Sequence, residues 1–188
     1  MRGTLILLCV SCGATAPPQT TPNLPGDPVA ASTAPATGLG RGADAPDFAL
    51  EASDGRVRGL GELRQSGPVL IFFYPGSYSE DAKEQLTRLQ AKLRELPPGA
   101  KVVAVSPDSK VISAKLKEEL KLDVPLLSDP DLRAARAYRV ADATSGVSLP
   151  ALFVIDKQGK IRWSYRPGEG RHGEDEAFDA LRLAQSSQ

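Results

Sequence analysis

Residues 69–74 read V-L-I-F-F-Y, and this run limits what the chain can become. It is short, unbroken and aromatic, with no polar face, so it fits a strand covered on both sides. Pro75 and Gly76 stop it. From Ala82 the apolar positions fall at Ala82, Leu86, Leu89, Leu93 and Leu96, a spacing that puts them on one face of a helix. A buried strand therefore hands over to an amphipathic helix. Such junctions hold the chemistry of many α/β folds, because the first helical turn leaves N–H groups unpaired and presents the positive end of the macrodipole.

The remaining pattern builds around this unit. Phe48 and Leu50 alternate with polar neighbours, and Asp54-Gly55 signals a hairpin. Leu60–Leu63 makes a short helical turn ahead of the central strand. Pro97-Pro98-Gly99 breaks the chain, and Lys101–Val105 gives a second buried strand ending in Ser106-Pro107-Asp108. A helix follows with Ile112, Leu116 and Leu120 on one face, and Val124–Leu127 is another short strand. Asp129-Pro130 reads as an N-cap and first helical residue, starting a helix that runs to about Tyr138. Ala151–Ile155 is the last buried strand. After a turn at Asp156–Gly159, Ile161, Trp163 and Tyr165 alternate with polar residues. Glu174-Asp175-Glu176 opens a terminal helix with Ala177, Phe178, Leu181 and Ala184 facing inward. Strands separated by helices imply βαβ units and a largely parallel sheet.

The segment around Tyr74-Pro75 resembles the active-site stretch of the AhpC/TSA peroxiredoxins, in which a strand ends in Tyr-Pro and a Thr-x-x-Cys opens the helix. Gly42–Phe48 (G-A-D-A-P-D-F) and Phe153–Ile161 (F-V-I-D-K-Q-G-K-I) resemble the same family, and the likeness extends over about Gly42–Ala184. It implies an α/β, thioredoxin-like fold of peroxiredoxin type: a central mixed sheet flanked by helices, with an N-terminal β-hairpin. It also implies antioxidant, thiol-based oxidoreductase activity. On that pattern the site positions are Tyr74, Pro75, Ser79, Ala82 and Pro150. Ser79 stands where the family has Thr, and Ala82 stands where it has the peroxidatic cysteine. The frame used by the thioredoxin and TlpA/ResA relatives gives Tyr78-Ser79-Glu80-Asp81, which also lacks cysteine. Peroxiredoxins of the bacterioferritin-comigratory type carry an arginine just before the F-[LV]-I-D strand, where this chain has Pro150. Ser148-Leu149-Pro150 resembles instead the cis-proline loop of the thioredoxin branch, and it reads equally as an ordinary loop-to-strand proline.

The only cysteines, Cys9 and Cys12, lie in the first dozen residues after an apolar run, with no strand before them or helix after. Arg2, the apolar stretch Thr4–Val10 and a small residue before Cys12 resemble a bacterial lipoprotein signal. The expected organisation is a signal peptide over residues 1–11, a disordered Pro/Ala/Thr-rich tether over 12–43, and the thioredoxin-like domain over 44–188. Lipid on Cys12 would fix the chain to a membrane, placing the domain in the cell envelope facing the periplasm or exterior; secretion without an anchor is the alternative. If Cys12 is acylated, the mature chain has no free thiol.

Lys+Arg and Asp+Glu are equal at 23 each, so bulk charge gives no argument for nucleic acid or for an anionic membrane surface as a partner. His172 is the only histidine, and a zinc or haem site lacks ligands; no cofactor or metal is expected. Tyr78, Ser79, Glu80, Asp81 and Pro150 remain as binding candidates, for a protein or peptide partner or for non-thiol chemistry in a Tyr78/Ser79/Glu80 pocket. Capping accounts for the same residues, either as a Ser77/Glu80 box or with Ser79 as N-cap followed by two acids. A concave pocket around Tyr78, Glu80 and Pro150 would favour chemistry, and a filled junction with Ala82 packed would favour binding.

Overall fold

The computed structural model describes residues 38–142, 144–166 and 173–186. Its strands are β1 (Ala49–Ala52), β2 (Val57–Gly59), β3 (Val69–Phe73), β4 (Lys101–Ser106), β5 (Leu126–Ser128), β6 (Ala141–Asp142), β7 (Val147–Ser148), β8 (Ala151–Ile155) and β9 (Ile161–Tyr165). The helices are α1 (Leu60–Leu63), α2 (Glu80–Lys92), α3 (Lys110–Glu119), α4 (Arg133–Ala137) and α5 (Glu174–Ser186). Seven strands form one mixed sheet in the order β2-β1-β5-β4-β3-β8-β9, and β6 pairs with β7 apart from it. β3 lies between β4, which is parallel to it, and β8, which is antiparallel. β1 and β2 make the expected antiparallel hairpin around Asp54-Gly55.

The period of two along the central strands sorts the core into two layers. Leu70, Phe72 and Tyr74 point toward α2, α3 and α5, together with Val102, Ala104, Leu152 and Val154. Val69, Ile71 and Phe73 point the other way, toward α1 and α4, together with Val103, Val105, Phe153 and Ile155. Every residue of β3 is buried, because both faces are covered. The apolar stripe of α2 seats Ala82, Leu86 and Leu89 in the first layer. Ala177, Phe178, Leu181 and Ala184 of α5 pack there as well.

Five expectations are corrected. The sheet is not largely parallel: β3–β4 and β4–β5 pair parallel, and the other four pairings within it are antiparallel. α4 begins at Arg133 rather than beside Pro130. The Asp129 carboxylate still caps it, accepting the N–H groups of Arg133 (2.8 Å) and Ala135 (2.9 Å) across the intervening turn. Ile112 of α3 is exposed, and Ser113 takes the buried position beside Leu116. The strand placed at Val124–Leu127 is shifted to Leu126–Ser128. Finally, the folded unit starts before residue 44. Gly38 N–H donates to the Arg139 carbonyl (2.7 Å) and Gly42 N–H to that of Ile161 (2.8 Å), while Leu39 and Ala43 pack on the second core layer. The apolar content of this stretch is small, but its backbone groups find partners at Arg139 and at Ile161, the first residue of β9. Cys9, Cys12 and His172 lie outside the described residues.

Candidate functional site

β3 ends at Phe73, and the chain passes through Tyr74-Pro75-Gly76 into the loop that starts α2. Gly76 has φ +144°, a region that side-chain-bearing residues rarely adopt, and a Cβ there would lie 2.9 Å from the Tyr78 ring. Tyr78 therefore folds back over Gly76 while staying 66% exposed. Ser79 is the N-cap of α2, its Oγ accepting the N–H of Ala82 (3.3 Å). Ser77 does not form a capping box, because its N–H donates to Asp108 Oδ2 (2.7 Å). Glu80 and Asp81 fill the first turn, where the helix dipole favours acids, and Glu80 is bonded to Lys83 (2.9 Å). Ala82 is 4% exposed and sits within the core layer under α2.

A cleft of about 380 Å³ opens beside this turn. Ser79, Asp81, Ala82, Gln85 and Arg88 line one wall, and Pro150 and Tyr165 the other. Tyr78 and Glu80, expected to share a pocket with Pro150, are not among its lining residues. The Leu149–Pro150 peptide is trans, since the described residues contain no cis bond, so the cis-proline reading does not hold. Both of the alternatives posed by the sequence are thus partly realised: a concave cleft exists, and the junction at Ala82 is packed.

Gln85, Arg88 and Asp108 were not singled out as site residues from sequence. Ser79, Ala82, Gln85 and Arg88 recur every three residues, a spacing that keeps them on neighbouring turns of α2 and could have marked the cleft wall. Arg88 bridges Glu84 (2.7 Å) on its own helix and Glu174 (3.1 Å) at the start of α5, and Glu174 is almost wholly buried. Asp108 holds the loop from below: besides Ser77 N–H it accepts Ser106 Oγ–H (3.3 Å), and its carbonyl accepts Ser128 Oγ–H (2.6 Å). Under that loop the Tyr74 hydroxyl is buried without a hydrogen-bond partner, close to Ser106 and Ser113. Burial, reinforced by the Asp108 charge, pushes its pKa well above the ordinary tyrosine value. Among the described residues no cluster of His, Cys, Asp and Glu has the arrangement of a metal site.

A buried strand delivering a capped helix, with a trans-proline loop across the cleft and a closing hairpin and helix, defines a thioredoxin-like fold of peroxiredoxin type. The chain belongs to the AhpC/TSA family, whose profile matches residues 41–164. It is similar to chloroplastic peroxiredoxin Q of Oryza sativa subsp. japonica, at 28% identity over 68% of this chain and 59% of that protein. The chain thus spans about three-fifths of the length of its rice relative. Peroxiredoxin 2 of Thermoplasma acidophilum is 28% identical over 77% of this chain and 75% of its own. Among solved structures, peroxidoxin BcpB of Mycobacterium tuberculosis superposes with a TM-score of 0.71 at 27% identity, covering 77% of this chain and 97% of that one.

Proposed function

We propose that this peroxiredoxin-family domain works without thiol peroxidase or disulfide reductase chemistry and that the cleft between α2 and Pro150 binds a partner rather than reacting with it. What supports this reading is Ala82: at the position that the sequence resemblance matches to the family's nucleophile stands a methyl group, 4% exposed and packed in the core, with its N–H taken by Ser79. A sulfenate or disulfide needs a sulfur, and the folded part of the chain contains none. The surroundings agree, because Glu80 and Asp81 at the helix mouth disfavour a thiolate that a neighbouring cation would support. The partner is a protein or peptide segment held by the polar cleft wall of Ser79, Gln85 and Arg88 with Tyr165 opposite. Cys12 carries lipid in this reading, placing the domain in the cell envelope.

The test is hydroperoxide consumption, with thiol reductant supplied, by the full chain carrying Cys9→Ser and Cys12→Ser, beside the same protein with Ala82→Cys. The parent is expected to be silent, and turnover by it would overturn the reading. Activity in the variant would trace the loss of chemistry to one side chain. Silence in both would mean that the acids at the helix mouth also oppose it.

A further inference from the structure

The cleft beside α2 joins two kinds of surface. Ala82, Pro150 and Tyr165 give it apolar area, and the Tyr165 ring is held in place by stacking on that of Trp163, with centroids 6.2 Å apart and planes 9° from parallel. Asp81 and Glu84 stand on the α2 side, both exposed and three residues apart, so that they occupy neighbouring turns. An alkyl stem ending in a cation, as in lysine or arginine, matches that division, since the methylenes find apolar surface and the head finds carboxylates. An aromatic wall adds attraction for a cation through the negative face of its ring.

The charge of the cleft is one-sided. Among the described residues that line it Arg88 is the only basic one, and it is engaged by Glu84 (2.7 Å) and by Glu174 (3.1 Å), whose side chain is 3% exposed. With Asp81, three carboxylates meet one guanidinium. The other cations of α2 are turned elsewhere: Lys83 joins Glu80 (2.9 Å) and Glu119 (3.7 Å), and Lys92 joins Asp175 (2.5 Å). Among the described residues Asp81 has no ion-pair partner. The N-terminus of α2 contributes about half a positive charge, which the carboxylates outweigh.

We propose that the occupant of this cleft is a peptide segment presenting a lysine or arginine side chain, with its head at Asp81 and Glu84 and its stem along Tyr165 and Pro150. This inference rests on the reading of the cleft as a binding site and names the chemistry that it selects. A volume of about 380 Å³ accommodates one long side chain together with backbone on either side of it. Peptide groups find partners there as well. Ser79 Oγ accepts the Ala82 N–H, which leaves its hydroxyl hydrogen to donate to a peptide carbonyl, and the Gln85 amide both donates and accepts. An acidic segment would instead meet uncompensated carboxylates and a guanidinium already held by two others, so the same lining that attracts a cation rejects an anion.

The experiment is an NMR titration of the full chain bearing Cys9→Ser and Cys12→Ser with blocked pentapeptides Gly-Ala-X-Ala-Gly, in which X is Lys, Arg, Leu or Glu. The Lys and Arg peptides are expected to shift the backbone amides of Asp81–Arg88 and Tyr165, with dissociation constants on the order of 1 mM, and the Leu and Glu peptides to leave them in place. Asp81→Asn with Glu84→Gln should weaken the Lys peptide about tenfold, and Asp81→Asn alone about threefold should the pair unsettle α2. The charge-matched control Glu62→Gln with Asp131→Asn, on α1 and before α4, should bind like the parent. Equal shifts from the Leu peptide, stronger ones from the Glu peptide, or unchanged affinity in the Asp81 and Glu84 variants overturn the proposal. Free n-butylammonium binding as tightly as the Lys peptide also overturns it, because the peptide groups would then contribute nothing. Hydroperoxide turnover with the Lys-peptide shifts intact would support this inference while removing the thiol-free reading, so the two fail separately.

Discussion

At the scale of single residues, Ser79 and Ala82 close the first turn of α2 between them: the Ser79 hydroxyl oxygen accepts the N–H of Ala82, whose own side chain is an unreactive methyl group. Ser79→Ala removes the only side-chain cap of α2 and should lower stability by about 1 kcal/mol, read as a shifted midpoint with unchanged slope in denaturant titration. No change in the midpoint would mean that water caps the helix equally well. This turn was legible in the sequence because its parts are consecutive. The two acids of the first turn follow from position along one helix and the absent sulfur is plain from residue identity, whereas the choice between Ser77 and Ser79 as cap and the packing of Ala82 were left open until the structure placed them. Pro150 was less legible. Its place across the cleft followed from the strand it precedes, but its trans peptide could not be read from the Ser-Leu-Pro triplet, since isomer choice depends on what surrounds the bond.

At the scale of elements, the contacts that sequence reading missed join helices distant along the chain. Arg88 and Glu174 stand 86 residues apart and meet because α5 lies along α2, a consequence of packing that no local pattern encodes. The Ser106-Pro107-Asp108 stretch likewise read as a strand end, whereas Asp108 reaches across to fasten the loop after β3. The strands and amphipathic faces were readable for the opposite reason, since burial on one or both faces imposes its own period. α4 was misplaced because the Asp129 side chain caps it across a turn instead of from the adjoining position. The helix–helix link is testable. Glu174→Gln keeps the shape and removes the charge facing Arg88. A fully buried pair broken this way would cost more, but Arg88 is 31% exposed and keeps Glu84, so the expected loss is about 1–2 kcal/mol. Loss of thermal stability alongside an unchanged fold by circular dichroism would support the link, and an unaltered midpoint would remove it.

For the whole molecule, Tyr74 and Tyr138 are buried in opposite core layers, each with a hydroxyl that lacks a partner. Burial raises the pKa of both above the ordinary value of 10.0. The unfolded chain therefore releases these protons first, so their contribution to stability is intact below pH 10 and is lost as the pH rises beyond it. Of the four tyrosines, these two should produce tyrosinate absorbance only as the circular dichroism signal collapses; titration of all four in a chain that is still folded would contradict this. The strand order carries a different consequence, one of timing. β3, apolar on both faces, lies between β4 and β8, and its pairing with β8 joins Val69 to Ile155 and Phe73 to Ala151. Translation delivers β3 about eighty residues ahead of that partner, at roughly 5–20 residues per second. For several seconds the nascent chain carries its most insoluble strand with one edge open, so the ribosome and whatever shields the emerging polypeptide belong to the conditions under which this sheet can form.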